Sequence, residues 1–509
     1  MNSAILLVVV VAYFSLLLAI AFYTSRGANE ESFFIGNRNS KWWLVAFGMI
    51  GTSLSGVTFV SVPGTVQAGG LGYFQVVIGY FLGYFIVAFV LLPLYYRLRL
   101  TSIYSYLNDR FGLKAYKTGS MFFILSRTLG ATARLYLVIN VMQLFILDAL
   151  HVPFWATTVI ILGMILLYTF KGGVKTIVWT DTLQTLFMLI GLLVCVVVVT
   201  GLLHFSLGDA VSAMHEKGYT KLFNTDPKSG GFFLKQIIGG AFITVAMTGL
   251  DQEMMQKNIS VRTLGDSQKN MMVFSTIMVV VNLFFLLLGG LLYLYAEKHQ
   301  IGVKGDDIFP TIALQQLSPF VSLIFIIGLI SALFPSADGA ITALTSAFCI
   351  DILGIRRREN LPEAAQANVR RRVHLSFAVV FLICILIFKA IDNKSIIDVI
   401  LKLAGFTYGP LLGLFTFGII TKRKVRDGMV PYICVLALLL SLVLDVTAGA
   451  DWYLKMFTKD AAALNAAKDF SGHLFSGYKI GIELLIINAG LTFGGLLLCS
   501  RKQVDTLIR

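Results

Sequence analysis

Apolar runs of about 18 residues or more, nearly free of charge, recur along the whole chain, from residues 5–23 to residues 480–499. In lipid, a run of this length is long enough to cross the bilayer as a helix. The composition agrees, because 57% of the 509 residues are hydrophobic and only 13% are charged, whereas soluble domains carry about a quarter charged residues. The sequence predicts an all-α polytopic membrane protein and excludes a soluble enzyme, a nucleic-acid-binding protein and a secreted disulfide scaffold.

Thirteen segments are predicted to span the membrane. They cover roughly residues 4–23, 42–68, 72–96, 118–148, 153–170, 176–203, 232–256, 270–295, 319–349, 374–392, 395–420, 428–448 and 478–500. If the N-terminus lies outside, most of the 41 Lys and Arg residues fall in cytoplasmic segments, including the arginine runs 356–358 and 370–372. The positive-inside rule therefore predicts an outside N-terminus and a cytoplasmic C-terminus in a plasma membrane, such as a bacterial inner membrane.

The second predicted span is rich in Gly, Ser and Thr over residues 51–58. Such a segment makes a poor continuous helix, and a break there would free backbone carbonyls to face a cation and helix ends to face a solute. The alternative is a seam of small residues for close helix packing, which is common in membranes.

The seventh span has a matching interruption that runs from Gly239 and Gly240 to Thr248, Gly249 and Asp251. The two interruptions lie five spans apart, which is the spacing that two inverted five-helix repeats produce, with a solute site between them. We expect one transporter domain over residues 1–509. Its predicted parts are a leading helix and loop (1–41), the first repeat (42–203), the second repeat (232–420) and two trailing helices (428–500).

The ninth span contains Ser331, Ala332, Pro335, Ser336 and Asp338. Proline removes an amide donor and loosens a carbonyl about one turn earlier. Carbonyls, hydroxyls and a carboxylate are the hard oxygen ligands that a small alkali cation prefers. The alternative is a proline kink whose serine only re-satisfies the backbone.

Three further charged residues lie in the predicted spans. Asp181, near the start of the sixth span, is either an interfacial helix cap or a functional carboxylate. Arg127 and Arg134 are two turns apart on one face of the fourth span. These arginines either neutralise Asp181 and Asp338 or bind a substrate carboxylate bidentately.

Two motifs resemble signatures of the sodium:solute symporter family. They are Gly172-Gly173 followed by Trp179-Thr180-Asp181 and Gln184, and Asp251-Gln252 followed by Gln256-Lys257, with Lys in place of the family's Arg. The resemblance extends over nearly the full chain. It implies the leucine-transporter-type fold with inverted five-helix repeats, and sodium-coupled transport rather than catalysis.

The resemblance also implies a sodium site between the second and ninth spans. Its ligands would be the carbonyls of Gly51, Leu54 and Ala332 and the hydroxyl of Ser336. The family usually supplies a second hydroxyl just before this serine, and here Pro335 stands in its place.

Relatives such as sialic acid symporters are expected to hold a further sodium. The resemblance implies that Asp181 would bind it together with hydroxyls later on the ninth span, where this chain has Asp338 and Gly339. Asp338 would then be a charged ligand or would make the site sensitive to protons.

The substrate residues implied by the resemblance lie on four spans. A hexose symporter would have an aromatic gate at Met247, so a galactose-like substrate is disfavoured. The counterparts of sialic acid ligands are Ser53, Ser55, Thr58, Gln75, and Arg127 or Arg134. A sugar, polyol or sugar acid is therefore expected.

We expect sodium-coupled symport of this solute into the cell by alternating access. The expected partners are the solute, the sodium ion and the lipid bilayer, with no nucleic acid and with the monomer as the functional unit. Proton-coupled symport on the same fold, an uncoupled facilitator and a solute sensor remain the alternatives.

Overall fold

In lipid no water is available to form hydrogen bonds with the backbone N–H and C=O groups of an apolar segment. These groups must therefore hydrogen-bond to one another, as they do in a helix. The computed structural model is helical along nearly all of its described length. It describes residues 3–24, 40–100, 102–355, 362–391, 396–449, 453–454, 458, 460–476 and 478–501, without the side chains of residues 3–5, 168, 170–175, 363, 396 and 461. The predicted basic run 356–358 and the side chains of motif residues 172–175 lie outside this description.

The first part of the chain forms helices that cover the first six predicted spans and the loop after them. They are α1 (Ser3–Thr24), α2 (Trp42–Ser53), α3 (Gly56–Gly64), α4 (Val66–Gly69), α5 (Tyr73–Ile86), α6 (Leu92–Arg97), α7 (Ser105–Arg110), α8 (Leu113–Met142), α9 (Phe154–Leu203) and α10 (Leu207–Glu216). A π-helical turn, Val87–Leu91, joins α5 to α6, and another, Gln143–Leu147, extends α8.

The second part continues with helices and one small sheet. They are α11 (Phe233–Thr244), α12 (Gln252–Ile259), α13 (Leu264–Lys298), α14 (Ile308–Thr311), α15 (Pro319–Ala347), α16 (Glu363–Ile391), α17 (Ile396–Thr407), α18 (Gly409–Ile420), α19 (Val430–Ala448), α20 (Ala461–Phe475) and α21 (Leu484–Leu498). Strands β1 (Lys424–Val425) and β2 (Ser500–Arg501) pair antiparallel. π-helical turns extend α11 (Val245–Gly249), α14 (Ile312–Gln316) and α15 (Phe348–Ile352).

The predicted spans coincide with apolar helical segments. Among the described residues, eight helices are long and apolar enough to cross a membrane, or up to eleven if each of three bent helix pairs is one span. Two shorter apolar helices, Phe154–Leu167 and Leu484–Leu498, lie at the fifth and thirteenth predicted spans. The prediction of an all-α polytopic membrane protein is confirmed.

The predicted break in the second span is confirmed. Helices α2 and α3 meet at an angle of 54°, and Leu54 and Ser55 lie between them. The backbone of Ser55 is extended (φ −79°, ψ 175°), so helical pairing stops at this point.

The seventh span also bends, but not at its glycine pair. The bend of 66° lies at Leu250 and Asp251, between the π-helical end of α11 and the start of α12. The carbonyl of Leu250 accepts a hydrogen bond from the Tyr104 hydroxyl at 2.8 Å. Gly240, by contrast, lies inside α11, where an added Cβ atom would come within 2.5 Å of the Val76 carbonyl oxygen. The glycine pair Gly239 and Gly240 therefore permits close helix packing and does not break the helix.

The fifth and sixth predicted spans, 153–170 and 176–203, are joined by helical backbone rather than by a loop. Helical backbone continues over all 50 residues of α9. The connecting segment contains no proline, and its two glycines, Gly172 and Gly173, lower helix stability by only about 1 kcal/mol each. Residues 154–167 and 176–203 remain two separate apolar segments.

The eleventh span has a bend that the sequence analysis did not predict. Helices α17 and α18 meet at 46° around Tyr408. Pro410 lies in the first turn of α18 and has no amide hydrogen, so the Phe406 carbonyl lacks its helical donor and accepts instead from Asn488 Nδ2 at 2.8 Å. The bend positions the Tyr408 hydroxyl to donate to Asp251 Oδ2 at 3.0 Å.

The ninth span lies at the centre of the bundle. Within its most apolar stretch 78% of the residues are buried, compared with 22% for the tenth span. Helix α15 packs against α1, α2, α8, α9 and α16. It continues through Pro335 without ending, so Ala332, Ser336 and Asp338 lie on one central helix.

Candidate functional site

The described helices surround a cavity of about 110 Å³. It is lined by residues of the bent second and seventh spans and of α5, α8, α13 and α17. By this measure it has room for several water molecules or part of a small solute. Hydroxyl, amide and guanidinium groups share the lining with apolar side chains, as in sites for polar organic molecules.

The structure brings most of the predicted substrate residues to this cavity. Those that line it are Ser53, Ser55, Thr58, Arg127, Arg134 and Met247. The three hydroxyl residues lie on both sides of the break between α2 and α3. The break therefore places side chains from two helix ends in one cavity.

Gln75 does not line the cavity. Its amide nitrogen donates to the Gly72 carbonyl at 2.9 Å, and its carbonyl oxygen accepts the backbone N–H of Asn224 at 3.2 Å. Both ends of the side chain are therefore engaged in holding the loop between α10 and α11 against the start of α5.

Three tyrosines that the sequence did not predict as site residues, Tyr73, Tyr80 and Tyr84, also line the cavity. They lie on one face of α5, because spacings of seven and eleven residues correspond to about two and three helical turns. The hydroxyl groups of Tyr73 and Tyr80 are 3.5 Å apart. Polar-tipped aromatic residues at this spacing in an otherwise apolar span were the available signal.

The two arginines of α8 have different surroundings. Arg127 is buried and ion-paired with Glu253, and its second nitrogen lies 3.7 Å from Asp251 Oδ2. Arg134 is half-buried and lines the cavity, and it forms no hydrogen bond or ion pair with another described residue. The structure therefore separates a paired arginine from one whose guanidinium is open to the cavity.

The carbonyls expected to bind sodium lie where helical pairing stops. The last carbonyls of a helix have no intrahelical donor. In α2 the Leu54 N–H donates to the Ile50 carbonyl at 2.7 Å, and the Gly51 carbonyl, one residue later, is the first without a helical donor. Ser336 lies on α15, which packs against α2, and its hydroxyl donates to the Leu333 carbonyl at 2.8 Å. The oxygen lone pairs of Ser336 thus remain available to a cation.

The expected carbonyl ligand on α15 lies beside the proline turn. Pro335 has no amide hydrogen, so the carbonyl of Ser331, four residues earlier, lacks its helical donor. The Ser331 hydroxyl is hydrogen-bonded to the Tyr13 hydroxyl at 2.6 Å. Helix α1 therefore packs against the same turn of α15 that carries Ala332.

Asp181 is not an interfacial cap, because it lies inside α9 and is fully buried. Its Oδ2 atom accepts hydrogen bonds from Lys257 Nζ at 2.7 Å and from Thr52 Oγ1 at 3.2 Å. The ammonium group of Lys257 also lies 3.3 Å from Glu253 Oε1. The sequence signal for this cluster was the acid–lysine pair four residues apart on α12, since such residues share one face of a helix.

These carboxylates do not form a metal-binding cluster. Among the residues that the structure describes, no group of three or more His, Cys, Asp or Glu side chains is arranged to hold a metal ion. Asp181 and Glu253 instead face positively charged side chains. Both carboxylates are thus neutralised by Lys257 or Arg127.

A model of the sodium:solute symporter family matches residues 33–431, which is more than three quarters of the chain. The chain belongs to the sodium:solute symporter family. The predicted family and sodium-coupled symport are thereby confirmed, with sodium as the coupling ion. This symporter is 22% identical over 449 residues to the sodium/sialic acid symporter of Proteus mirabilis (strain HI4320). The aligned region covers 83% of this chain and 85% of the relative.

Other relatives are named for other solutes. The symporter is 26% identical over 412 residues to sodium-coupled monocarboxylate transporter 1 of Mus musculus, which covers 78% of this chain and 66% of that protein. A solved structure of a Na⁺-coupled sialic acid symporter in a substrate-bound outward-open state superposes with a TM-score of 0.80. It is 17% identical and covers 98% of this chain and 99% of that one. The expected leucine-transporter-type fold is confirmed.

Proposed function

We propose that this symporter carries a small organic anion, a sugar acid such as sialic acid or a related hydroxylated carboxylate, into the cell together with sodium. The observation that carries the proposal is Arg134, a cavity-lining guanidinium with no hydrogen bond or ion pair to another described residue. A partly buried charge without a partner is unfavourable, and a carboxylate satisfies a guanidinium bidentately.

The rest of the lining suits a hydroxylated body on that carboxylate. Ser53, Ser55 and Thr58 offer hydroxyls from one side, and Asn282 offers an amide. Met247 provides an apolar wall in place of an aromatic gate. The relatives named for sialic acid and for monocarboxylates support the carboxylate part of the proposal.

Sodium is proposed to bind between the broken second span and α15, at the carbonyls of Gly51, Leu54 and Ala332 and at Ser336. A cation there would hold the α2 end against α15 and thereby fix Ser53 and Ser55, which line the cavity. Sodium binding would tighten solute binding, and solute must tighten sodium by the same factor. Loss of sodium to the cytoplasm would loosen the cavity and release the solute.

The orientation is proposed to be N-terminus outside and C-terminus cytoplasmic, in a plasma membrane such as a bacterial inner membrane, with the monomer as the functional unit. The uneven distribution of Lys and Arg supports the orientation. The solute site between two inverted repeats, residues 42–203 and 232–420, is part of the same proposal.

Thermal unfolding of the purified protein tests the proposed solute class. Binding raises apparent stability by mass action, so a panel of sugars, sugar acids and carboxylates is screened with sodium and with potassium. The matched pair is sialic acid and its methyl ester, which lacks the carboxylate charge. We expect stabilisation by the acid in sodium only. Equal stabilisation by acid and ester would contradict the role of Arg134, and equal effects in sodium and potassium would contradict sodium coupling and favour protons.

A further inference from the structure

A positively charged side chain already occupies the position next to Asp181. Lys257 is only 2% exposed, and its ammonium group donates to Asp181 Oδ2 at 2.7 Å and to Thr52 Oγ1 at 2.5 Å. It also lies 3.3 Å from Glu253 Oε1. The ammonium is thus surrounded by oxygen atoms from α2, α9 and α12, as a bound cation would be.

One of the two positions where a second sodium would need a hydroxyl ligand offers no side-chain oxygen here. The resemblance implies hydroxyl ligands at positions 338 and 339, and the chain has a carboxylate and a glycine there. A Cβ atom on Gly339 would overlap the carboxylate of Glu253, which is ion-paired with Arg127 and Lys257, so a hydroxyl-bearing side chain would have to displace this carboxylate from its partners.

The free capacity of Asp181 is small. Its Oδ2 atom is engaged, and only Oδ1 has no hydrogen-bond partner among the described residues. A hard cation requires several oxygen ligands, and one carboxylate oxygen is too few. A sodium ion against Asp181 would also lie a few ångströms from the ammonium group, where like charges in a poorly solvated interior repel strongly.

We propose that the Lys257 ammonium is a built-in cation that takes the place of a second coupling ion, so that this symporter binds and moves one sodium per solute. The inference rests on the sodium coupling of the proposed function. If the solute is a singly charged anion, its charge and that of the one sodium ion cancel, so each transport cycle moves no net charge. Transport would then be insensitive to membrane potential.

The test counts sodium ions on the purified full-length protein with radiolabelled sodium alone, without solute. We expect one sodium per wild-type chain. Lys257→Ala removes the ammonium and opens its space beside Asp181 and Glu253, so the count should rise to two. Lys257→Arg keeps the charge and should still bind one. Lys402→Ala is the matched control, because this lysine forms an ion pair with Asp445 at 2.8 Å outside the cluster.

The outcomes are separable. Two sodium ions on the wild-type protein would overturn the inference while leaving sodium coupling intact, and this count decides even if Lys257→Ala does not fold. A folded Lys257→Ala variant that still binds one sodium would also overturn it. Absence of sodium binding to the wild type would contradict sodium coupling itself, and the inference would fail with it.

Discussion

The guanidinium of Arg127 and the carboxylate of Glu253 form a buried ion pair between α8 and α12. Two turns along α8, about 10 Å away by helical rise, Arg134 faces the cavity and has no such partner among the residues that the structure describes. One helix face thus carries a structural arginine and an arginine open to solute. The sequence alone did not distinguish which of the two arginines has which role.

Substitution of the two arginines should give different defects. Arg134→Gln should raise the KM for the anionic solute at least tenfold, because a charge-assisted hydrogen bond contributes about 1.5–3 kcal/mol and about 1.4 kcal/mol is tenfold in affinity. Its melting temperature should change little. Arg127→Gln should lower the melting temperature strongly, because breaking a buried pair costs about 3–5 kcal/mol. Uptake kinetics and thermal unfolding measure the two effects. A stable Arg127→Gln protein with only a raised KM would contradict the assignment.

Gly339→Ala should destabilise the protein, because the new Cβ atom would overlap the Glu253 carboxylate. Overpacking of this kind costs about 1–3 kcal/mol. Gly163→Ala on α9 is the matched control, since its Cβ atom would meet nothing within 4 Å. The control should be neutral or stabilising by up to about 1 kcal/mol. Thermal unfolding in detergent compares them, and equal melting temperatures would contradict the close contact between Gly339 and Glu253.

Ser336→Ala should raise the sodium concentration for half-maximal uptake about tenfold, since it removes one oxygen ligand worth about 1–1.5 kcal/mol. The KM for solute at saturating sodium should change little. Ser346→Ala is the matched control on the same helix, because among the described residues its hydroxyl donates only to the Thr342 backbone carbonyl, at 2.9 Å. Sodium titrations of uptake measure the effect. An equal shift in both variants would argue against a sodium ligand at Ser336.

Gln75→Ala should leave the KM for solute unchanged, contrary to the role implied by the family resemblance. Its amide bonds Gly72 and the backbone of Asn224 rather than the cavity. The loop around Asn224 should exchange its amide hydrogens faster in the variant, because local openings expose amides that have lost their anchors. Hydrogen exchange and uptake kinetics measure the two effects. A raised KM with unchanged loop protection would restore Gln75 to the solute site.

The features that the sequence predicted well are those with a strong local cause. Lipid requires long apolar helices, so the spans were readable from hydropathy. The Gly, Ser and Thr residues near Leu54 break the second span because they favour neither continuous helix nor lipid contact. The family motifs then pointed to sodium and to a site between the second and ninth spans.

The features that the sequence did not resolve depend on distant partners. The sequence around Arg127 does not predict its ion pair with Glu253, and the sequence around Asp181 does not predict its ion pair with Lys257. Both pairs form only when α8, α9 and α12 pack together. Gln75 has the residue type of a solute ligand, yet its direction is set by a loop about 150 residues away. Glycines such as Gly240 were ambiguous, since close packing and helix breaking use the same residue.

Solute accumulation in proteoliposomes tests the central claim, sodium-coupled symport of a carboxylate solute, most directly. Radiolabelled sialic acid is followed with an inward sodium gradient, then with potassium in place of sodium and an inward proton gradient. We predict accumulation above the external concentration with sodium only, and its loss in Arg134→Gln. Accumulation driven equally well by the proton gradient without sodium would contradict the account.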